Sequence, residues 1–463
     1  MTAANLSVAD RLVQLLDHLK IARAHFAASM LADVTGFVQA HSERIASLTL
    51  VCPPRVDRSL HVLGNRLMII AGDQGRPATM VRDAIKNLSE ATVIWLPGYF
   101  SPPWADPAAD CTADIASALF DVISNHQVGK NDAARGSVHG AVAGISYHSQ
   151  GEGEPLVLLP LSLASSQWDP LRSRLSSHYQ TIVLGGPELG FVAMLESRGQ
   201  SAGYRGVVQR VVDAVHLHPG EVILEVGCGS GVLDRWLAEY TARANRIIGV
   251  DVNRYLVREA KALATQEGLA DIITFQEGDA EALPFPDEHV DVALSFTVLE
   301  EGNAERMLAG LARVTKPGGR VAVIVRALDI PWVVNVPLRP ELKAKVQTPR
   351  GFVGTEGCAD ASLYRRFQQT GLKRVQMFPQ FAAFEQPETP QAQFAQGAIL
   401  GALTTEETQE WHRAMAQAVA DGTYFIAQPF HCAVGKKRLS KNSRGRLQRA
   451  DRKCRYAREG ACD

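Results

Sequence analysis

Val8, Leu12, Leu15, Leu16 and Leu19 recur at helical spacing behind Ser7, so the chain opens on an amphipathic helix with a serine N-cap. Short apolar runs then alternate with helical stretches. Ala24–Ala27 reads as a strand, with a helix to about Ala40. Ala46–Val51 is a strand stopped by Pro53-Pro54, and Arg66–Ala71 another. Thr79–Leu88 is a helix, Ala91–Leu96 a strand ending at Pro97-Gly98, and Ala109–Ser124 a closing helix. Strands alternating with helices predict an α/β segment with a mainly parallel sheet. The polar stretch Gln127–Ser137 reads as a linker. A second apolar group follows: Ala143–Tyr147, Leu156–Leu159, a helix around Trp168–Leu175 and Thr181–Leu184, stopped by Gly185-Gly186-Pro187. From about Tyr204 the pattern resets. A helix Arg205–Val215 precedes strands Val222–Val226, Arg246–Val250, Ile272–Glu277, Val290–Phe296 and Arg320–Arg326. Helices Val232–Thr241, Leu256–Gln266 and Ala304–Thr315 lie between them.

The bulk numbers narrow the class. At 463 residues the chain is too long for one ordinary domain. With 46% hydrophobic and 21% charged residues it is globular in composition, and its net charge of −1 argues for neither a nucleic-acid nor an acidic partner. The charge is uneven, because Lys436 to Asp463 hold eleven Lys/Arg against three Asp/Glu. That tail has little apolar content and reads as disordered and solvated. No apolar run reaches the ~18–20 residues of a membrane span, and Met1–Asp10 lacks the pattern of a secretory signal. The seven cysteines are scattered, odd in number and without CxxC spacing. This predicts no metal site and fits a reducing, cytoplasmic setting.

The chemistry concentrates after residue 220. Val222–Val226 runs into Gly227-Cys228-Gly229-Ser230-Gly231 and then a helix. Glycines let a ligand approach the backbone, and the helix start offers free N–H groups. The dinucleotide fingerprint needs a further glycine where this chain has Val232, and Glu225 stands two residues before the first glycine. A carboxylate there suits a cationic ligand end better than a pyrophosphate. Asp251, 20 residues beyond Gly231, tips the second strand together with Val252 and can accept hydrogen bonds from both hydroxyls of a ribose. Gly278-Asp279-Ala280, the strand Asp291–Phe296 and the turn Lys316-Pro317-Gly318-Gly319-Arg320 complete the series.

In that combination, order and spacing, residues 201–435 resemble a class I S-adenosylmethionine-dependent methyltransferase, and are most similar to the small-molecule branch that includes quinone-biosynthesis enzymes. The resemblance implies a Rossmann-like seven-stranded sheet with helices on both faces. It also implies that Glu225 and the loop Gly227, Cys228, Gly229 and Gly231 meet the methionine end of the cofactor. Asp251 with Val252 would hold the ribose, Asp279 and Ala280 the adenine edge, and Ser295 with Phe296 would floor the site. Methyl transfer asks the protein mainly to align acceptor, methyl and sulfur and to exclude water. No general base is identified, so the catalytic residues stay open. Glu300, Glu301, Trp332, Asn335, Tyr364 and His431 are the acceptor-side candidates, and Pro331-Trp332-Val333-Val334 suggests a small, partly apolar acceptor.

The first 200 residues resemble an α/β-hydrolase with its halves in inverted order. Residues 1–128 are similar to that family's second half, and 129–200 hold a linker and its first half. The elbow reads Ala27-Ala28-Ser29-Met30-Leu31 where G-x-S-x-G is needed, and Gly98-Tyr99-Phe100-Ser101-Pro102 carries no histidine. A serine without a positioned base is a weak nucleophile. His25 and His126 are expected in packing or surface roles. The expectation is therefore a small-molecule methyltransferase with a non-catalytic hydrolase-like region, which could supply a homo-oligomer surface. A donor-binding sensor without turnover and a bifunctional hydrolase–methyltransferase are the alternatives. A nucleic-acid substrate rests on the basic tail alone and is not expected.

Overall fold

The computed structural model describes residues 7–439 apart from 30–31, 55, 102–104, 131–137, 187–188, 349–352, 388 and 401–402. The basic tail from residue 440, most of the linker, Met30-Leu31 of the elbow and Pro102 lie outside the described residues. The chain divides into two compact units, Met1–Met194 and Leu195–Asp463.

The first unit is built on one eight-stranded sheet. Its strands are β1 (Ala24–Ala28), β2 (Ile45–Val51), β3 (Leu67–Gln74), β4 (Thr92–Phe100), β5 (Val138–Val142), β6 (Ile145–Gln150), β7 (Pro155–Leu158) and β8 (Gln180–Gly185). The order is β4-β3-β2-β1-β7-β8-β6-β5. β1 pairs in parallel with both β2 and β7, so residues 24–100 and 138–185 share one sheet. β6 runs antiparallel to β8, and β5 to β6. Every residue of β1, β2 and β7 is buried, as in central strands covered on both faces, including the polar His25, Ser47 and Thr49. The sequence pattern ended the fourth strand at Pro97-Gly98, but β4 continues to Phe100. β4 lies at the sheet edge, where the missing proline N–H has no ladder to serve.

The second unit contains β9 (Val222–Val226), β10 (Arg246–Asp251), β11 (Ile273–Glu277), β12 (Val290–Phe296), β13 (Thr315–Arg326), β14 (Val333–Val334), β15 (Lys373–Phe384) and β16 (Ile426–Lys436). Their order is β11-β10-β9-β12-β13-β16-β14, with β15 also on β16. β9 to β13 are parallel; β13, β14 and β15 all meet β16 antiparallel. The expected seven-stranded sheet is thus corrected to eight. After β13 the chain loops out and returns as the two-residue β14, which prolongs pairing along β16 at Ala427 and Ile426. The chain leaves β9 toward β10 on one side and returns to β12 on the other. Open α/β sheets bind ligands outside the strand ends at such a switch. A helix absent from the sequence pattern, Phe191–Gln200, precedes the expected one, which spans Ala202–Val215.

Candidate functional site

The loop between β9 and the helix Val232–Tyr240 is shaped by its glycines. Gly227, Gly229 and Gly231 have φ of 79°, 55° and 72°, the left-handed region that costs other residues strain. A Cβ on Gly227 would stand 2.1 Å from Val298 Cγ2. The backbone N–H groups of Gly227 and Cys228 both donate to Val250 O, at 2.7 and 3.0 Å, which pins the loop to β10. From β10, Asp251 closes the arrangement. Its Oδ2 accepts from Gly229 N and its Oδ1 from Asn253 N, each at 2.9 Å. Burial raises the Asp251 carboxyl, against the pull of these N–H donors.

Glu225 is the next-to-last residue of β9, with its side chain buried, 2% exposed. Its Oε2 has no hydrogen-bond partner among the described residues, and neither has Ser230 Oγ. Burial, then the nearby Asp234, pushes Glu225 well above the usual carboxylate range, while Arg198 opposes the rise. Burial likewise drives the Cys228 thiol up, so it stays protonated and unreactive. Ser295 is buried on β12 and spends its hydroxyl on Val226 O at 3.1 Å. Phe296 lines the same cleft. Asp279 is exposed with Oδ1 on Glu281 N at 2.8 Å, Ala280 is half-buried and Val252 is 65% exposed. The structure therefore gathers Glu225, the glycine loop and Phe296 around one cleft, with Asp251 bracing the loop. Asp279, Ala280 and Val252 lie at the ends of the neighbouring strands β11 and β10.

The sequence reading missed Arg198 and Thr297. Arg198 lines the same cleft as the loop. Its guanidinium donates to Thr297 Oγ1 at 2.8 Å and Tyr204 Oη at 3.1 Å, and lies 4.5 Å over the Tyr204 ring. Thr297 sits just past β12 at φ 59°, a costly conformation for a β-branched residue. The helix that carries Arg198 is held by Glu196, which bonds Arg235 at 2.6 Å. A cationic side chain and a carboxylate lining one cleft suit a zwitterionic amino-acid end. The unpartnered Glu225 and Ser230 oxygens point the same way, so the residues present fit the methionine portion of S-adenosylmethionine.

On the acceptor side the candidates separate. Glu300 is fully buried, with Oε1 accepting from Arg326 N at 2.8 Å and its Oε2 unpartnered among the described residues. Burial raises its carboxyl, and Arg326 opposes. Glu301 is exposed. His431 is buried and bonds Asp329 through Nε2 at 2.7 Å. Trp332 packs into the hydrophobic core, Asn335 ties to Thr423 O at 2.6 Å and Tyr364 is 44% exposed. These three do not converge with Glu300.

In the first unit, Ser29 is 2% exposed and bonds Ser162 Oγ at 2.9 Å and Cys52 O at 3.3 Å. His25 bonds Ser47 Oγ and Glu154 Oε2, and His126 bonds Asn65 O. Neither imidazole bonds Ser29. Among the described residues no group of three His, Cys, Asp or Glu could hold a metal, and no helix is long and apolar enough to cross a membrane.

Residues 224–323 match the family described as "Methyltransferase domain". Over 107 residues the chain is 38% identical to a 2-phytyl-1,4-naphtoquinone methyltransferase of Synechococcus elongatus, covering 23% of this chain and 46% of that one. It is 36% identical over 110 residues to a demethylmenaquinone methyltransferase of Symbiobacterium thermophilum, 24% and 44% of the two chains. It is 32% identical over 109 residues to the ubiquinone/menaquinone biosynthesis C-methyltransferase UbiE of Ectopseudomonas mendocina, 23% and 43%. The chain thus spans less than half the length of these curated relatives. The matched stretch runs from within β9 into β13 and contains the glycine loop, and it places an S-adenosylmethionine-dependent methyltransferase domain in the second unit.

Proposed function

We propose that this protein transfers a methyl group from S-adenosylmethionine to a small-molecule acceptor. The observation that carries the proposal is the single cleft lined by Arg198, Glu225 and the glycine loop, the loop braced by Asp251. In this reading Arg198 binds the donor's carboxylate and Glu225 its ammonium. The N–H groups around Gly229 and Ser230 hold the backbone of the site. Asp251 with Val252 takes the ribose, Asp279 and Ala280 the adenine edge, and Ser295 with Phe296 the floor beneath the methyl. The donor supplies a carbon already activated by a sulfonium, so the chain's work is alignment and exclusion of water. The relatives named above act on quinone-type rings, which supports an apolar ring-bearing acceptor. Trp332 does not support it, being part of the core.

The test is calorimetric titration of S-adenosylmethionine and S-adenosylhomocysteine into wild type and Asp251→Ala. Losing the ribose carboxylate should weaken both ligands about 10- to 150-fold, roughly 1.5–3 kcal/mol. A folded wild type that binds neither ligand would refute the proposal. Binding with no methylated product from a metabolite extract would favour a sensor over an enzyme.

The first unit is, in the same proposal, an α/β-hydrolase-like fold with its second half placed before its first, retained without hydrolysis. Support comes from the shared sheet that joins residues 24–100 to 138–185 through β1 and β7. A buried Ser29 with hydroxyl and carbonyl partners has no base to take its proton. Covalent labelling of Ser29 by a fluorophosphonate would contradict this.

A further inference from the structure

Glu225, which lines the cleft, has beside it a second carboxyl group that alignment of the donor does not by itself use. Glu225 is the next-to-last residue of β9, and Asp234 lies in the first turn of the helix Val232–Tyr240 after the loop. The two are 2% and 0% exposed. Gly249 is the register partner of Glu225 on β10, and a Cβ on it would stand 3.0 Å from Asp234 Oδ2, so the two carboxyl groups are neighbours over that strand and act on each other. Glu225 Oε2 and both oxygens of Asp234 receive no donor from any other described residue. Two carboxyl groups can bond each other only if one keeps its proton.

The charged surroundings do not relieve the pair. Glu225 feels Arg198 from the helix Phe191–Gln200 and Asp251 from β10, besides Asp234. Asp234 feels its neighbour Arg235 as well as Glu225. Arg198 is engaged by Thr297 and Tyr204. Arg235 is engaged by Glu196, Glu267 and Ser230 O. Neither guanidinium bonds either carboxyl. Burial pushes Asp234 up to about 7 and Glu225 well above its ordinary range. Two like charges that close, away from water, cannot both stay ionised, and they titrate as a unit.

We propose that Glu225 and Asp234 hold a proton between them until the α-ammonium of S-adenosylmethionine takes its place, so that each donor bound sends one proton to solvent. The proposal rests on the methyl-donor reading above. The balance is simple: a proton leaves the pair, a fixed cation replaces it, and no covalent bond changes. Asp234 is thus a positioning residue that acts on the donor through Glu225. The sign follows by linkage. The bound state holds fewer protons, so donor affinity rises with pH through the range where the pair titrates. S-adenosylhomocysteine keeps the same ammonium and should behave alike. 5′-Methylthioadenosine keeps the adenosine and sulfur but has no amino-acid end, and should release nothing.

Calorimetry on the full chain at about pH 6.5, below the α-amino range, in two buffers of unlike protonation enthalpy, counts the protons. The expected result is about one proton released with either full ligand and none with 5′-methylthioadenosine. Affinity should tighten by up to tenfold per pH unit below that point, as a single linked proton requires. Asp234→Asn offers Glu225 an amide donor, so S-adenosylhomocysteine should still bind while the release disappears. Binding of S-adenosylhomocysteine to wild type without proton release would overturn the proposal and leave the donor reading standing. Full release by Asp234→Asn would also overturn it. Binding of no ligand at all would remove the donor reading and this inference with it. Should Asp234→Asn fail to fold, the comparison of the three ligands on wild type still decides.

Discussion

Arg198 shows how a single residue can complete a site from outside its motif. It belongs to a helix that ends before the Rossmann-like pattern starts, yet it lines the same cleft as Glu225 and its charge acts on that carboxyl. Its two neutral partners, Thr297 and Tyr204, hold the guanidinium in place without cancelling its charge. A charge fixed in this way is ready for a carboxylate. Replacement by glutamine should weaken S-adenosylmethionine and S-adenosylhomocysteine about 10- to 100-fold. 5′-Methylthioadenosine, which has no carboxylate, should bind as before. Parallel titrations with the three ligands would show this, and an equal loss for all three would mean that Arg198 only supports the fold. Nothing in the local sequence singled it out, because its role depends on a helix packing over a loop distant in the chain. Glu225 and Asp251 were legible because their distances from the glycines are fixed by strand ends.

At the scale of elements, the glycine loop is the joint on which the second unit's chemistry depends. It turns from β9 into the helix Val232–Tyr240 while both flanks are fastened to β10, through Val250 O and through Asp251. Alanine at Gly227 would need a positive φ and would drive Cβ into Val298. The expected cost is about 1–3 kcal/mol of stability from backbone strain alone, with donor binding lost. A thermal melt and a titration of Gly227→Ala would measure both. A variant as stable as wild type that still bound the donor would show that the loop is looser than its contacts imply. The boundaries of β9 and β12 match the sequence pattern, because mostly apolar, β-branched-rich runs between turn residues mark central parallel strands. β4 was cut short in the pattern, because a proline ends a strand only where its N–H would have been needed. The helix Phe191–Gln200 was not marked at all. The glycine-proline run before it and Gly199 within it read as loop, and its apolar positions define no clear face.

For the whole molecule, each unit has a sheet and hydrophobic cores of its own. The core residues of the first unit fall between Leu12 and Leu189, and those of the second between Tyr204 and Val434. Each sheet is closed within its unit, with no strand shared between them. Residues 195–463 expressed alone should therefore unfold in one cooperative transition and bind S-adenosylhomocysteine within about threefold of the intact chain, a difference under 1 kcal/mol. Calorimetric melting and titration of the fragment would test this. A fragment that folds but binds much more weakly would show that the first unit contributes to the donor site.

The sequence by itself determined the alternation of elements, the glycine loop, and the carboxylates at Glu225 and Asp251. These are local matters of period, backbone freedom and strand-end position. It also determined that Ser29 lacks the glycines of a nucleophile elbow. Tertiary structure alone decided that residues 24–100 and 138–185 share one sheet. It brought Arg198, held by Thr297, to the cleft beside the glycine loop, sent Trp332 to the core, and buried Glu225 and Asp234 as neighbours. Each of these depends on which distant segments pack together. Burial, which sets the charge a carboxyl can carry, is a property of that packing and not of the chain's order.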